Sequence, residues 1–86
     1  MVHGRVQGVG FRMFVVREAG SRGIRGFVRN LAGVNEAVEV VACGDEPSLS
    51  ELVARLHVGP AGAHVTEVTA SALDPVPEYA DFAIRY

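Results

Sequence analysis

The chain has 86 residues, 49% of them hydrophobic and 21% charged, with a net charge of −2 and a single cysteine. That length holds one domain, burying roughly 60–65% of the surface the unfolded chain exposes, and excludes a second. No apolar run approaches the ~20 residues of a membrane span, the first residues lack a basic-then-apolar pattern, and a lone Cys43 cannot form an internal disulfide, so a cytoplasmic setting away from membranes is expected.

Met1 to Val6 reads as a strand running into a glycine-spaced loop. Phe11, Phe14, Val15 and Ala19 then recur at helical spacing until Gly20 and Gly23 stop them. Arg25 to Leu31 and Val38 to Cys43 read as two strands of a hairpin, joined by a turn around Gly33-Val34-Asn35. Glu46-Pro47-Ser48 opens a second helix with the apolar stripe Leu49, Leu52, Val53 and Leu56, and Gly59-Pro60 ends it. Val65 to Leu73 gives a longer strand, Asp74-Pro75-Val76-Pro77 a rigid turn, and Tyr79 to Tyr86 the closing segment. The alternation predicts an α+β, ferredoxin-like βαββαβ sandwich, a mostly antiparallel sheet with two helices on one face and a short final strand. No repeat or linker interrupts it, so residues 1–86 are expected to form one domain.

Charge is unevenly spread. All eight basic residues are arginine, and six of them (Arg5, Arg12, Arg17, Arg22, Arg25, Arg29) lie in the first 30 residues against one acid, Glu18. The N-terminal third therefore presents a positive field to a small anion. Arg17, Arg22, Arg25 and Arg29 are expected mainly to solvate helix and strand faces. A nucleic-acid surface is not expected, because the chain is acidic overall and Phe27 is the one aromatic in strands two and three.

The segment Gly4-Arg5-Val6-Gln7-Gly8-Val9-Gly10-Phe11-Arg12 has the chemistry of an anion cradle. Glycines let the backbone take positive φ, so that several N–H groups converge on one point. A helix starting at Phe11 adds its unpaired N–H groups and the positive end of its dipole, and Arg12 adds a planar fork of donors matched to phosphate oxygens. Other chemistries lack their residues. No lysine is present for a Schiff base or a P-loop, the last glycine of a dinucleotide fingerprint is missing, and none of the four serines sits in a Gly-x-Ser-x-Gly elbow. His3, His57 and His64 have no metal-ligand spacing, so neither metal nor cofactor is expected. A phosphate site without a proton donor copes with a leaving group that departs readily as an anion, such as a carboxylate, whose conjugate acid has a pKa of about 4. Mixed carboxylic-phosphoric anhydrides fit those residues. Cys43 reads as a small core residue, while Arg5 and Gln7 carry a structural reading beside the functional one.

The same loop, followed by Gly26-Phe27-Val28-Arg29-Asn30, the Gly59-Pro60 stop, the Val65-Thr66-Glu67-Val68 strand and the closing Phe82-Ala83-Ile84-Arg85-Tyr86, resembles the acylphosphatase family almost end to end. The resemblance implies metal-independent hydrolysis of acyl phosphates to carboxylate and inorganic phosphate by a small monomeric enzyme. It implies that Arg12 and the amides from Gln7 through Gly8, Val9, Gly10 and Phe11 bind the phosphoryl group, and that Asn30 orients the attacking water. An anion-binding ferredoxin-like module without turnover, of a regulatory or carbamoyl-phosphate-binding kind, is the competing expectation. Three features depart from the family pattern. Only Met1-Val2-His3 precede Gly4, so the chain is expected either to be less stable than its relatives or to start upstream. The turn Ala32-Gly33-Val34-Asn35-Glu36-Ala37 is about two residues longer than the common form. Arg22 stands where an apolar residue normally closes the first helix, so its stem is expected to cover apolar surface in place of a core contact.

Overall fold

Residues 1–8, 10–31, 37–71 and 78–85 are described by the computed structural model of the chain. Apolar and β-branched residues in register build its sheet. Seven antiparallel pairs, from Arg25↔Cys43 to Leu31↔Ala37, join β2 (Arg25–Leu31) to β3 (Ala37–Cys43) as the expected hairpin. The strand β1 (Val2–Arg5) lies antiparallel between β3 and β4 (His64–Val68), and β5 (Phe82–Arg85) runs parallel to β2 on its other side. The order across the sheet is β4-β1-β3-β2-β5, with β2–β5 the one parallel pairing among the described strands.

Both helices pack into one core with this sheet. In α1 (Phe11–Gly20) the buried residues Phe11, Phe14, Val15 and Ala19 follow the i, i+3, i+4, i+8 spacing that puts them on one face. They meet Val2, Val28 and Val38, all within 1% of complete burial. From α2 (Glu46–Val58), Leu52 and Leu56 join this core with Leu49 packed beside them. Val53 does not join it, because the helix turns it about 100° away from Leu52, past the margin of the stripe.

Two boundaries fall short of the sequence expectation. Strand β4 ends at Val68 rather than Leu73, and its ladder with β1 closes where the Met1 ammonium donates to the Thr69 carbonyl and the Thr69 N–H to the Met1 carbonyl, each at 3.0 Å. Strand β5 begins at Phe82 rather than Tyr79, where Gly26 N–H reaches back to the Asp81 carbonyl at 2.8 Å. The turns around residues 33–35 and 74–77, the long 32–37 connection and Tyr86 lie wholly or largely outside the described residues.

Arg22 and Arg29 do more than solvate. Arg22 Nη1 donates to the Glu18 carbonyl at 2.9 Å and to its carboxylate at 2.7 Å, while Arg55 of α2 donates to the other carboxylate oxygen at 3.2 Å. The Arg55 guanidinium lies 5.7 Å from the centre of the Phe14 ring. Glu18 thus ties α1 to α2 at the position where an apolar contact was expected. Arg29 pairs with Glu39 across the strands at 2.6 Å, and Arg85 stacks 4.1 Å from the Phe27 ring centre.

Candidate active site

The cradle starts with two backbone conformations that few side chains tolerate. Gly8 and Gly10 sit at φ 74° and 77°, in the left-handed region, and Gly10 is the residue before α1. Space does not impose glycine there, since a Cβ at either position meets nothing within 4 Å; the dihedral angle does. The chain thereby turns sharply into α1, whose first helical bond runs from Phe14 N–H to Gly10 O at 3.0 Å. No side chain caps this helix start and no acidic residue stands in its first turn. Within its own first turn, α1 therefore sets no carboxylate against these N–H groups and the positive end of the dipole, which is the arrangement that attracts an anion.

A cavity of about 190 Å³ opens there, lined by Gly8, Gly10, Phe11, Arg12 and Asn30, together with Val6, Met13 and Ile84. Arg12 is half-buried in the first turn of α1. Asn30 comes from the far end of β2, where it pairs with Val38, and its Oδ1 is buried with no hydrogen-bond donor from the described residues. A buried, unsatisfied amide oxygen costs about 1–3 kcal/mol, so it marks a place where a water or ligand proton completes the structure. Strand β2 and the first turn of α1 thus bring together two residues 18 apart in sequence, Arg12 and Asn30.

Of the residues expected at the site from sequence, Gly8, Gly10, Phe11, Arg12 and Asn30 line one cavity, and Val9 lies outside the described residues. Gln7 does not line it. Its side-chain amide instead donates two hydrogen bonds, to Leu31 O at 2.9 Å and Ala37 O at 3.0 Å. Those carbonyls belong to the last described pair of the β2–β3 ladder, so Gln7 fastens the strand end that carries Asn30 to the root of the cradle. Arg5 is exposed and outside the lining.

Met13 and Ile84 belong to the cavity although sequence reasoning gave them no part. For Met13 a signal existed: it is an apolar residue on the opposite side of α1 from Phe11 and Val15. Ile84 had none, because its place depends on β5 pairing with β2 across more than fifty residues. Among the described residues no group of three or more His, Cys, Asp and Glu side chains could hold a metal ion.

Comparison with known proteins points to one family. A family model described as acylphosphatase matches residues 1–84. An acylphosphatase from Synechococcus is 49% identical over 86 residues, the full length of both chains. One from Caldivirga maquilingensis is 41% identical over 86 residues, covering all of this chain and 90% of its own. The solved structure of an acylphosphatase from Coxiella burnetii superposes with a TM-score of 0.87 at 39% identity, over 98% of this chain and 85% of that one. With its ferredoxin-like sheet, its glycine loop and its full-length relatives, the chain belongs to the acylphosphatase family, hydrolases of acyl phosphates.

Proposed function

We propose that this acylphosphatase holds the phosphoryl group of its substrate with Arg12 and the backbone amides from Gln7 to Arg12, and that Asn30 orients the water that attacks phosphorus. Arg12 and the helix-start amides stabilise charge on the equatorial oxygens. The Asn30 amide accepts a hydrogen bond from the water and so fixes the direction of its lone pair, but it takes up no proton at neutral pH. Positioning supplies the acceleration. The water oxygen bonds to phosphorus as the bond from phosphorus to the acyl oxygen breaks, the electron pair leaves with the carboxylate, and the water's protons pass to phosphate and solvent. A carboxylate needs no general acid to depart.

The observation that carries the reading is the buried, unpartnered Asn30 Oδ1 in the wall of the same cavity as Arg12. We further propose that residues 1–86 work as one domain, monomeric and cytoplasmic, without nucleic acid. No described helix is long and apolar enough to cross a membrane.

The test is hydrolysis of benzoyl phosphate in EDTA by the wild type and Asn30→Ala, with inhibition by inorganic phosphate measured in both. Turnover in the variant is expected to fall ~10²–10³-fold while phosphate inhibition persists. Wild-type turnover in Asn30→Ala, or loss of phosphate inhibition along with it, overturns the assignment.

A further inference from the structure

Resting on the reading of Arg12 and Asn30 as the phosphoryl site, we infer that Met13 and Ile84 form the seat of the substrate's acyl group and select uncharged, apolar acyl phosphates over small or charged ones. Covalent geometry makes the link. In an acyl phosphate the carbonyl carbon is joined to phosphorus through one oxygen, so the acyl group must lie within two bonds of whatever the cradle holds, against the wall of the same cavity. Apart from the cradle itself and the buried Val6 and Phe11, that wall is Met13 and Ile84 among the described residues.

The two side chains reach the cavity from different elements. Met13 is 54% exposed, because the helix that buries Phe11, Phe14 and Val15 turns position 13 outward. A lone exposed methionine needs no explanation, but this one lines the same cavity as Asn30 of β2. Its unbranched, polarisable chain adapts to ligands of different shape. Ile84 is half-buried on β5, where it pairs with Val28, two residues before Asn30 on β2. Charge completes the argument. Arg12 is the one charged side chain among the described residues lining the cavity, and the phosphoryl group occupies it. A carboxylate or ammonium on the acyl group would face apolar atoms and lose hydration without compensation, whereas an aryl or branched alkyl group covers them.

The experiment compares kcat/KM for benzoyl phosphate and acetyl phosphate in the wild type, Met13→Gln and Met13→Leu. Glutamine preserves chain length and helix propensity at an exposed position, so the fold is not at stake. The benzoyl-to-acetyl ratio is expected to fall roughly three- to tenfold in Met13→Gln, the low end of what an apolar pocket discriminates because the seat is open on one side. In Met13→Leu the ratio should stay within about twofold of the wild type. A fall of less than threefold in Met13→Gln, or an equal fall in both variants, overturns the assignment. Arg12→Lys separates the two readings: it touches the phosphoryl group common to both substrates, so both kcat/KM values should drop with their ratio kept. Full turnover of both acyl phosphates in Arg12→Lys would sink the phosphoryl-site reading whatever Met13 does.

Discussion

Arg12 offers a rigid fork of donors at a helix start where lysine would offer a single compact charge. Its half-buried position means that, on the proposed reading, a contact with phosphate oxygens would be made partly out of water, where charge-assisted hydrogen bonds are stronger. Replacing it by lysine keeps the charge and loses the fork, so kcat/KM for any acyl phosphate is expected to fall ~10²–10³-fold, as steady-state kinetics would read directly. Single residues of this kind were open to sequence reasoning because their chemistry is local. Gly8 and Gly10 turn the chain, Arg12 follows in the first helical turn, and Asn30 ends a strand. The partners of Gln7 were not open to it. Nothing near Gln7 in the chain says that its amide reaches carbonyls 24 and 30 residues away.

Between elements, that amide is the strut that holds β2 and β3 to the cradle. A mistake of about 1 Å in placing a reacting group can cost ~10²-fold in rate, so the strut matters to the reaction without touching phosphate. In Gln7→Glu the introduced carboxylate would face two carbonyl oxygens, a repulsion that favours its protonated form and raises its pKa. The protonated form donates one hydrogen bond and restores part of the strut. The variant is therefore expected to lose roughly tenfold in kcat at neutral pH and to recover relative to the wild type as pH falls toward about 5. A pH profile of kcat checks this, and phosphate inhibition should move less than kcat. The order of elements was readable from hydrophobic periodicity alone, since Phe11, Phe14, Val15 and Ala19 bury as their spacing requires. Strand ends were not, because a strand stops where its partner stops: β4 follows β1 to the Met1–Thr69 pair.

At the scale of the whole molecule, Glu18 couples the two helices that cover the sheet. The hydrogen bond from Arg22 holds its carboxyl below the ordinary value of 4.5, against the opposing effect of burial and with further help from Arg55. A carboxyl whose pKa is lowered on folding contributes stability above its unfolded pKa and loses it as pH falls through the folded value. In Glu18→Gln the melting temperature should therefore be lower than the wild type's at pH 6 and converge with it as the pH falls through the lowered carboxyl value. Thermal melts of both proteins across that range read the difference, which is expected to be modest for a pair open to solvent. Both the unequal charge distribution and the single-core architecture were visible in the sequence. The interhelical role of Glu18 was not, because its bond to Arg55 depends on how α2 lies against α1.

The parallel pairing of β2 with β5 also has a consequence for synthesis. Ile84, which lines the cavity, follows Arg12 and the loop glycines in the chain by more than seventy residues. Until the final strand docks, β2 presents an open edge of unpaired backbone groups to other nascent chains. Contacts of such long sequence separation form slowly. That edge of β2 therefore stays exposed to mispairing until β5 has been made and has docked.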